Sequence, residues 1–342
     1  MILPKVSIII PHHNGYNILD DCIKSIRKSY FSNYEIIIVD NNSSDNSLKN
    51  IELNDNESIV KSKYNRGYAG GCNLGARHSS GKYLIFLNND TILNSNWLDP
   101  LIKTMESDKT VSAVQPKILN FFNKKKFDYA GGAGGCIDYL IYPFARGRMF
   151  STIEKDIGQY DSIEQLFWAS GTCFITSRKI FDEIGGFDET LFAHMEEIDY
   201  HWRCQLYGYK IMSNPKSSIF HKGGQTLSYK SFWKKYYNHR NSIFLLLTNY
   251  SLTNSIKFLL PRMILELISF IVELIQLNLK NAAAQIYSWL WIIIRFDTIV
   301  KKRYQNKKIR KVNDNLLLNS VIFNKSIVIE YFINKKKKVS EL

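Results

Sequence analysis

Apolar runs without polar alternation recur along the first third of the chain and are separated by segments of helical periodicity. The runs lie at residues 5–11 (KVSIIIP), 34–40 (YEIIIVD) and 82–87 (KYLIFL). Runs of this kind predict strands that are buried on both faces of a sheet. A helical pattern with Asn17 as its expected N-cap follows the first run, and others begin near residues 67 and 97. Strand alternating with helix predicts an α/β fold with a doubly wound, mostly parallel sheet.

Polar side chains follow three of these strands at the point where each strand ends. The loops begin at His12, Asp40 and Asn88. In a wound parallel sheet, ligands bind beyond the carboxyl ends of the strands. We therefore expect these three loops to converge on one ligand site.

The stretch 83–92 (YLIFLNNDTI) passes abruptly from a buried strand to two amides and a carboxylate, Asn88, Asn89 and Asp90. Mg²⁺ and Mn²⁺ take oxygen ligands, and a substrate diphosphate often supplies several of them. Asp90 is thus a candidate metal ligand at the sheet edge. The alternative is an Asx-type turn that caps the next helix.

Glycines crowd the entry to the second helix, in residues 65–75 (NRGYAGGCNLG). Such a segment lets the backbone approach a phosphate or a sugar closely. It matches neither the dinucleotide fingerprint GxGxxG nor the P-loop pattern. Asp40, one strand earlier, could accept a hydrogen bond from a base or a ribose, or could simply form a turn.

The segment 194–203 (HMEEIDYHWR) places three acids at the start of a helix. Glu196, Asp199 and Arg203 share one face, and Asp199 and Arg203 are spaced to form an ion pair. Glu197 points away from Asp199 and is the freer carboxylate for proton abstraction. Compensation of the helix dipole is the alternative role for these acids. Further on, His221 ends an apolar run and is either structural or a second metal ligand beside Asp90.

From about residue 120 to residue 165, glycines and aromatic residues alternate without a clear period. We interpret this region as a substrate-facing insertion. Regular patterning returns with a strand at 173–177 (CFITS) and a helix that ends at a glycine pair.

The net charge of +14 lies almost entirely in the C-terminal part of the 342-residue chain. Residues 301–312 and 335–338 hold eleven basic residues, and removing these from the 45 leaves 34 against 31 acidic ones. Five scattered cysteines argue against a zinc ribbon or a disulfide scaffold and fit a reducing cytoplasm. The N-terminus leads at once into a strand, so we expect no signal peptide.

Two unusually apolar segments, 255–279 and 282–296, precede the basic run. The first contains Arg262, Glu266 and Glu273, and the second is short for a membrane span. We expect two interfacial helices, with Trp289 and Trp291 near the headgroups and the basic run beside anionic lipid. A helical hairpin packed on the catalytic domain and true spanning helices are the alternatives. The expected division is a catalytic domain at 1–240 and a membrane-associating region at 241–342.

Taken in order, seven segments resemble the family 2 glycosyltransferases, which have a GT-A fold. More narrowly, they resemble the bacterial rhamnosyltransferase-like branch that builds surface polysaccharides. The segments are SIIIPHHN, IIIVDNNSSD, NRGYAGGCNLG, YLIFLNND, WASGTCFITSRKIFDEIGGFDE, EEIDYHWR and FHKGG, which together span residues 6–224. Each segment is weakly specific, and the combination is highly specific.

The resemblance implies roles for particular residues of this chain. The nucleotide pocket would be lined by Pro11, His12, Asn14, Asp40, Asn65, Gly67, Asn73 and Asn89. The metal, Mg²⁺ or Mn²⁺, would be bound by Asp90 and His221. The sugar and acceptor site would include Trp168, Ser170, Gly171 and Glu196. Glu197 would be the catalytic base, with Asp199 as the second candidate.

Two positions depart from the family pattern. Asn88 stands where the first acid of the DxD-type motif is expected, so the nucleotide would carry much of the metal binding. Glu197 replaces the more frequent Asp as the base and is one methylene longer.

The function implied is an inverting transfer from a dTDP- or UDP-linked sugar, with rhamnose favoured, to a hydroxyl of a polysaccharide or a polyprenyl-linked acceptor. It would take place at the cytoplasmic face of the membrane, on an anionic surface and without nucleic acid. A catalytically silent scaffold and a nucleic-acid binder that uses the basic tail are the rival hypotheses. A nucleotidyltransferase would share the sheet, but its Gly-rich, Arg-ending first loop is replaced here by PHHNGYN.

Overall fold

A computed structural model describes residues 3–223 and 232–342 and shows an α/β fold around one large sheet. The strands are β1 Val6–His12, β2 Tyr34–Asp40, β3 Glu57–Lys61, β4 Tyr83–Leu87, β5 Thr91–Leu93, β6 Val111–Asn120, β7 Gly135–Ile137, β8 Pro143–Ala145, β9 Arg148–Met149, β10 Thr152–Ile153, β11 Glu164–Leu166, β12 Cys173–Ser177 and β13 Lys210–His221. The α-helices are α1 Tyr16–Ile26, α2 Gly67–Arg77, α3 Leu98–Ser107, α4 Arg178–Ile184, α5 Glu196–Tyr207, α6 Phe232–Asn249, α7 Leu252–Ile275, α8 Leu279–Ile294, α9 Phe296–Ile309 and α10 Asp314–Leu318.

The large sheet has the order β11-β13-β6-β12-β4-β1-β2-β3, and β5 pairs with β13. Strands β3, β2, β1 and β4 are parallel, as are β6 and β13. Strand β12 lies antiparallel between β4 and β6. The sheet is therefore mixed but mostly parallel, which confirms the expected fold class.

Helices cover both faces of the sheet. On one face α1 and α3 pack over alternate side chains of β1, β2 and β4. On the other face α2, α4 and α5 cover the intervening side chains. Two buried faces explain why these strands are apolar without alternation.

Helix α1 begins one residue before the expected cap. Gly15, in the left-handed conformation, occupies the N-cap position, and Asn17 lies inside the helix. No acidic side chain lies in the first turn of this helix. The expected cap at Asn17 is therefore wrong.

The irregular region forms a small second sheet, β10-β9-β8-β7, beside the large one. The C-terminal residues return to this sheet: Phe323 pairs with Asp138, and Tyr331 packs against Phe144 and Met149. The insertion and the C-terminus are thus parts of one packed unit.

Helix α6 runs without interruption across the expected domain boundary at 240 and packs against α5, α7, α8 and α9. The basic run 301–312 forms much of α9, where Lys302 pairs with Asp188 at 2.9 Å and Arg310 contacts Asp314. Part of the positive charge of this run is thus paired with acidic side chains of the protein itself. In the ranges 3–223 and 232–342, no helix is long and apolar enough to cross a bilayer.

Candidate active site

The polar loops lie at one edge of the sheet because their strands run in the same direction. His12 and Asp40, the last residues of β1 and β2, are direct partners in the strand register. His221, at the end of β13, pairs with Thr91, the residue after Asp90. The start of antiparallel β12 reaches the same edge, since Cys173 pairs with Leu87 at the end of β4.

His12 joins the first loop to the NND motif. Its Nδ1 lies 2.9 Å from the Asn89 side-chain nitrogen, and its Nε2 lies 2.9 Å from Ser47 Oγ. Burial lowers the pKa of His12 to about 4, so the ring is neutral at pH 7. With Asn89 donating to Nδ1, the proton resides on Nε2 and is donated to Ser47. His12 and Asn89 therefore fix each other's orientation.

Asn14 and Asp40 shape the loop after β2. Asn14 Oδ1 accepts a 2.8 Å hydrogen bond from the Ser44 backbone, and Asp40 Oδ1 accepts one of the same length from Ser43. Asp40 thus forms a turn, which was the alternative to a contact with a base or a ribose. Its carboxylate remains half-exposed at the sheet edge, where a base or ribose could also reach it.

Gly67 allows helix α2 to approach the loop before α5. Its φ of +68° is left-handed, and a Cβ at this position would lie 2.2 Å from the carbonyl oxygen of Phe192. Asn65 Oδ1 accepts from the Gly67 N–H at 2.9 Å, and Asn41 Nδ2 donates to the Gly67 carbonyl at 2.9 Å. Pro11 lies on the same side of the sheet, close to Gly71 of α2.

Asn73 occupies a different position from these residues. Its amide accepts from the Phe187 N–H at 3.0 Å and donates to the Phe187 carbonyl at 2.9 Å. Asn73 therefore joins α2 to the GGFDE segment, and any contact with a nucleotide would have to compete with these two bonds.

Asp90 and His221 lie beside each other at the sheet edge. Asp90 Oδ1 lies 3.0 Å from His221 Nε2, and His221 Nδ1 lies 2.8 Å from Asp128 Oδ1. The Asp90–His221 pair is not aligned as a hydrogen bond, and within the described residues neither of its two atoms has another partner. Burial disfavours a charged ring, but the carboxylates of Asp128 and Asp90 raise the pKa of His221 to about 10.

These two side chains fit a divalent cation that displaces the proton from His221 Nε2, because only a neutral imidazole binds metal. Adjacent ligands of an octahedral ion with bonds of about 2.0–2.1 Å lie about 2.9 Å apart, close to the observed Asp90–His221 separation. Metal-binding histidines usually donate their other N–H to a carboxylate, as Asp128 provides here. No cluster of three or more His, Cys, Asp or Glu side chains suited to a metal occurs in the described ranges. Cations of this kind often take further ligands from a substrate diphosphate.

Glu197 lies at the N-terminus of α5, after a loop with an unusual backbone. Phe192, His194 and Met195 all have left-handed φ angles between 62° and 70°. Such conformations are costly for non-glycine residues and cluster at functional sites. The loop is held from α6 by Asn241, whose amide donates to the carbonyls of Leu191, Ala193 and His194.

The environments of Glu196 and Glu197 favour their protonated forms. Burial raises the pKa of Glu197, while backbone N–H groups of Glu197, Ile198 and Gly171 partly oppose the shift. Burial and the charge of Glu197 raise the pKa of Glu196. Within the described chain, Oε2 of each carboxylate is buried without a hydrogen-bond partner. Glu197 thus combines burial, a raised pKa and an unpartnered oxygen, which makes it a candidate for proton transfer.

Asp199 has a different environment. Its Oδ2 accepts from Arg203 Nε at 2.8 Å, and its Oδ1 accepts from Asn249 at 2.9 Å. With Arg203 and Lys302 it lines a cavity of about 240 Å³ between α5 and α9. These contacts favour the ion-pair alternative for Asp199 over the role of a base.

The segment 168–171 leads into β12 and contacts both the insertion and the start of α5. Trp168 is buried, and its Nε1 donates to the Cys136 carbonyl at 2.8 Å, so it anchors the insertion. Ser170 is held by Gln115 and Ala130. Gly171 contacts Glu197 directly: its N–H interacts with that carboxylate, and its carbonyl accepts from Tyr68.

A continuous path of contacts connects the site. Gly171 neighbours Thr172, whose carbonyl accepts from the Asn88 N–H at 2.9 Å, and Asp90 follows two residues later. Tyr68 joins Gly171 to the glycine-rich segment. Asp90, Glu197 and the loop of Asp40 are therefore connected along one edge of the sheet.

Sequence reasoning missed three residues of this site: Asn41, Tyr68 and Asp128. Asn41 follows Asp40 directly, and Tyr68 lies inside the glycine-rich segment, so their location in motifs was a usable signal. Asp128 lies in the region without a period and contacts His221 across 93 positions. No local pattern indicates such a contact.

The chain has clear relatives. It is 25% identical over 247 residues to the O-antigen biosynthesis protein RfbC of Myxococcus xanthus, covering 69% of this chain and 19% of RfbC. It is 33% identical over 102 residues to UDP-Glc:alpha-D-GlcNAc-diphosphoundecaprenol beta-1,3-glucosyltransferase WfgD of Escherichia coli, covering 29% of this chain and 40% of WfgD. The chain thus spans less than half the length of either relative.

Solved structures show the same fold. GalNAc-T7 with UDP, GalNAc and Mn²⁺ superposes with a TM-score of 0.54 at 20% identity, covering 76% of this chain and 54% of that one. Mannosyltransferase PcManGT from Pyrobaculum calidifontis, in complex with GDP-Man and Mn²⁺, gives 0.50 at 14% identity, covering 85% and 88%. The model of glycosyl transferase family 2 matches residues 7–185, more than half of the chain. The protein therefore belongs to glycosyl transferase family 2.

Proposed function

We propose that this glycosyltransferase moves a sugar, with inversion at the anomeric carbon, from a nucleotide-sugar donor to a hydroxyl of a lipid-linked glycan. This proposal rests on two features that lie at the same edge of the sheet. One is the Asp90–His221 pair, which suits a cation, and the other is the buried carboxylate of Glu197. Donor diphosphate and acceptor hydroxyl could thus meet between them.

The donor half of the site would lie between the first two loops and the glycine-rich segment. His12, Asn14 and Asp40 form one wall, and Asn65 and Gly67 form the other. Asp90 and His221, oriented by Asp128, would hold Mg²⁺ or Mn²⁺ against the diphosphate. Such a cation would neutralise charge that develops on the departing nucleoside diphosphate.

Glu197 would act on the acceptor. Its carboxylate takes the proton of the acceptor hydroxyl while that oxygen forms a bond to the anomeric carbon. The bond from the anomeric carbon to the donor phosphate breaks on the opposite side, and the nucleoside diphosphate leaves with the electron pair. A single displacement needs no nucleophile from the enzyme and inverts the configuration.

The relatives narrow the substrate class that we propose. RfbC is named for O-antigen biosynthesis, and WfgD for transfer to a sugar on diphosphoundecaprenol. A similar lipid-linked acceptor would place the reaction at the membrane, on the cytoplasmic face. A hexose or a deoxyhexose such as rhamnose, carried by UDP or dTDP, is the donor class to test first.

Donor hydrolysis across a panel of nucleotide sugars tests the proposal. The full chain is incubated with each donor and with Mg²⁺, Mn²⁺ or EDTA, and the released nucleoside diphosphate is measured. We expect one donor to be hydrolysed faster than the others, with a requirement for the divalent ion. Hydrolysis of none, together with no binding of UDP or dTDP, would support the silent-scaffold alternative.

A further inference from the structure

Helix α7 faces the protein with its charged residues and faces outward with its apolar ones. Arg262 is 2% exposed and Glu266 is 0% exposed, and they form an ion pair at 2.6 Å. Glu266 also accepts from His239 at 2.7 Å and from Gln285 at 2.9 Å, which joins α6, α7 and α8. The charges that interrupt the apolar segment are thus neutralised inside the helical bundle.

The opposite side of α7 is an apolar face that is interrupted near its start by the exposed Lys257. Its residues Leu252, Ile256, Leu260, Ile264, Leu267, Ile268, Ile271, Val272, Leu274 and Ile275 are each between 40% and 75% exposed. Their spacing places them across the helix from Arg262 and Glu266. Helix α8 and the turns at its ends extend the face with Leu279, Ile286, Tyr287, Leu290, Ile293, Ile294 and Phe296. We call these residues the apolar face.

Exposure of this apolar face to water is energetically unfavourable. Soluble monomers rarely expose a contiguous apolar patch larger than a few hundred Å², and larger patches mark membrane or protein contacts. No helix in the described part of the chain can cross a bilayer, so a lipid contact would have to be made by helices lying in the membrane plane.

The charges around the apolar face favour a lipid surface over a second protein copy. In residues 252–311 the exposed basic residues are Lys257, Lys280, Arg295, Lys301, Lys307, Lys308 and Lys311. Asp297 is the one exposed acidic residue in that range. Two copies meeting through this surface would bring like charges together, whereas anionic headgroups complement them.

We propose that the apolar face of α7 and α8 lies in the interface of an anionic bilayer, parallel to its plane, without crossing it. Trp289 and Trp291 are only partly exposed and are not counted in the apolar face. Trp291 packs on Phe244 and under the Arg240 guanidinium, and Trp289 packs on Phe270. The position of both tryptophans at the headgroups stays a prediction.

The contact would also fix the position of the active site. Arg262 donates to the Leu140 carbonyl at 2.8 Å and to Ser242 of α6 at 2.7 Å. Asn241, the neighbour of Ser242, holds the loop that precedes Glu197. The bilayer-facing helices and the catalytic loop are therefore joined by directly bonded residues. This inference rests on the proposed function. A protein bound in this way would hold its active site at a constant distance from the membrane surface, where the hydroxyl of a lipid-linked acceptor lies.

Flotation of the full chain with vesicles tests this proposal. Vesicles of phosphatidylcholine, with and without phosphatidylglycerol, are compared for the wild type and for the triple variant Ile264→Glu, Leu267→Glu, Ile271→Glu. The matched control carries Leu53→Glu, Ile157→Glu and Ile163→Glu, which lie on the catalytic domain and are also exposed. We expect the wild type and the control to float, more strongly with phosphatidylglycerol, and the triple variant to bind roughly 100-fold more weakly.

Three results would overturn the proposal. They are a wild type that does not float, a triple variant that floats like the control, and a dimer in vesicle-free sedimentation that only the triple variant dissociates. Hydrolysis of the nucleotide-sugar donor is measured separately, without vesicles. Failure of the membrane contact can therefore be distinguished from failure of the proposed glycosyl transfer.

Discussion

Asp128 contacts His221 on the side of the imidazole ring opposite Asp90, with Oδ1 2.8 Å from Nδ1. This contact orients Nε2 toward Asp90. We predict that Asp128→Asn weakens Mn²⁺ affinity about 10- to 100-fold, because the histidine loses its orienting carboxylate. Electron paramagnetic resonance of free Mn²⁺, titrated with enzyme and nucleoside diphosphate, measures this. Asp55→Asn, at an exposed loop, is the control and should change nothing; equal affinities in both variants would contradict the role of Asp128.

The raised pKa of Glu197 predicts the pH dependence of the reaction. A base must be deprotonated to act, so activity falls as pH drops through its pKa. Burial raises that pKa, so the acidic decline in kcat/KM should begin above the ordinary glutamate value of about 4.3. Rates measured across acidic and neutral pH, within the range where the fold is intact by circular dichroism, test this. A kcat/KM that stays constant down to a pH equal to the ordinary glutamate pKa of about 4.3 would exclude Glu197 as the titrating base.

Gly67 offers a test of the close approach between α2 and the loop before α5. Gly67→Ala should lower nucleotide affinity and the melting temperature, because its Cβ would clash with the Phe192 carbonyl. Gly185→Ala is the matched control, since Gly185 is also left-handed, with φ +88°, but has open space around it. That control should cost only the conformational penalty of about 1 kcal/mol. Equal losses in both variants would show that the approach to Phe192 does not matter.

The inward-facing charges of α7 predict a large effect on stability. Glu266→Gln leaves Arg262 buried without its counterion and should lower the free energy of unfolding by about 3–5 kcal/mol. Glu273→Gln, on the same helix but in a partly exposed pair with Lys235, should cost less than about 1 kcal/mol. Urea unfolding of both variants measures the difference. Similar small losses would mean that the Arg262–Glu266 pair is not a buried ion pair.

The stability that Glu266 contributes should also depend on pH. Burial alone would raise the pKa of Glu266, but the charges of Arg262 and His239 outweigh burial and lower it. A carboxyl with a lowered pKa stabilises the fold above its unfolded pKa, about 4.3, and loses that contribution as pH falls further. The stability advantage of the wild type over Glu266→Gln should therefore shrink below that pH. An advantage that grows on acidification would contradict the assignment.

The sheet edge could be predicted from the sequence because its signals are local. Each of β1, β2 and β4 is an apolar run that ends in a polar loop, and parallel strands place such loops together. The direction of β12 could not be predicted, since an apolar run such as CFITS has the same pattern in either direction. Its antiparallel pairing with β4 is what brings Gly171 to the ends of the parallel strands.

The contacts that could not be predicted from the sequence are those between distant segments. Asp128 acts on a histidine 93 positions away, in a region where the hydrophobic pattern has no period. The charges at Arg262 and Glu266 were visible as interruptions of an apolar segment. That they pair with each other and face inward depends on the packing of α6 and α8 around them, which periodicity does not describe.

The rate of sugar transfer by the Glu197→Gln variant is the most direct test of Glu197 as the catalytic base. This substitution keeps the size and hydrogen-bonding capacity of the side chain but removes its ability to accept a proton. We expect a rate of sugar transfer about 10²-fold or more below the wild type, with nucleoside diphosphate affinity and melting temperature unchanged. A variant that transfers sugar at nearly the wild-type rate would contradict the assignment of Glu197 as the base.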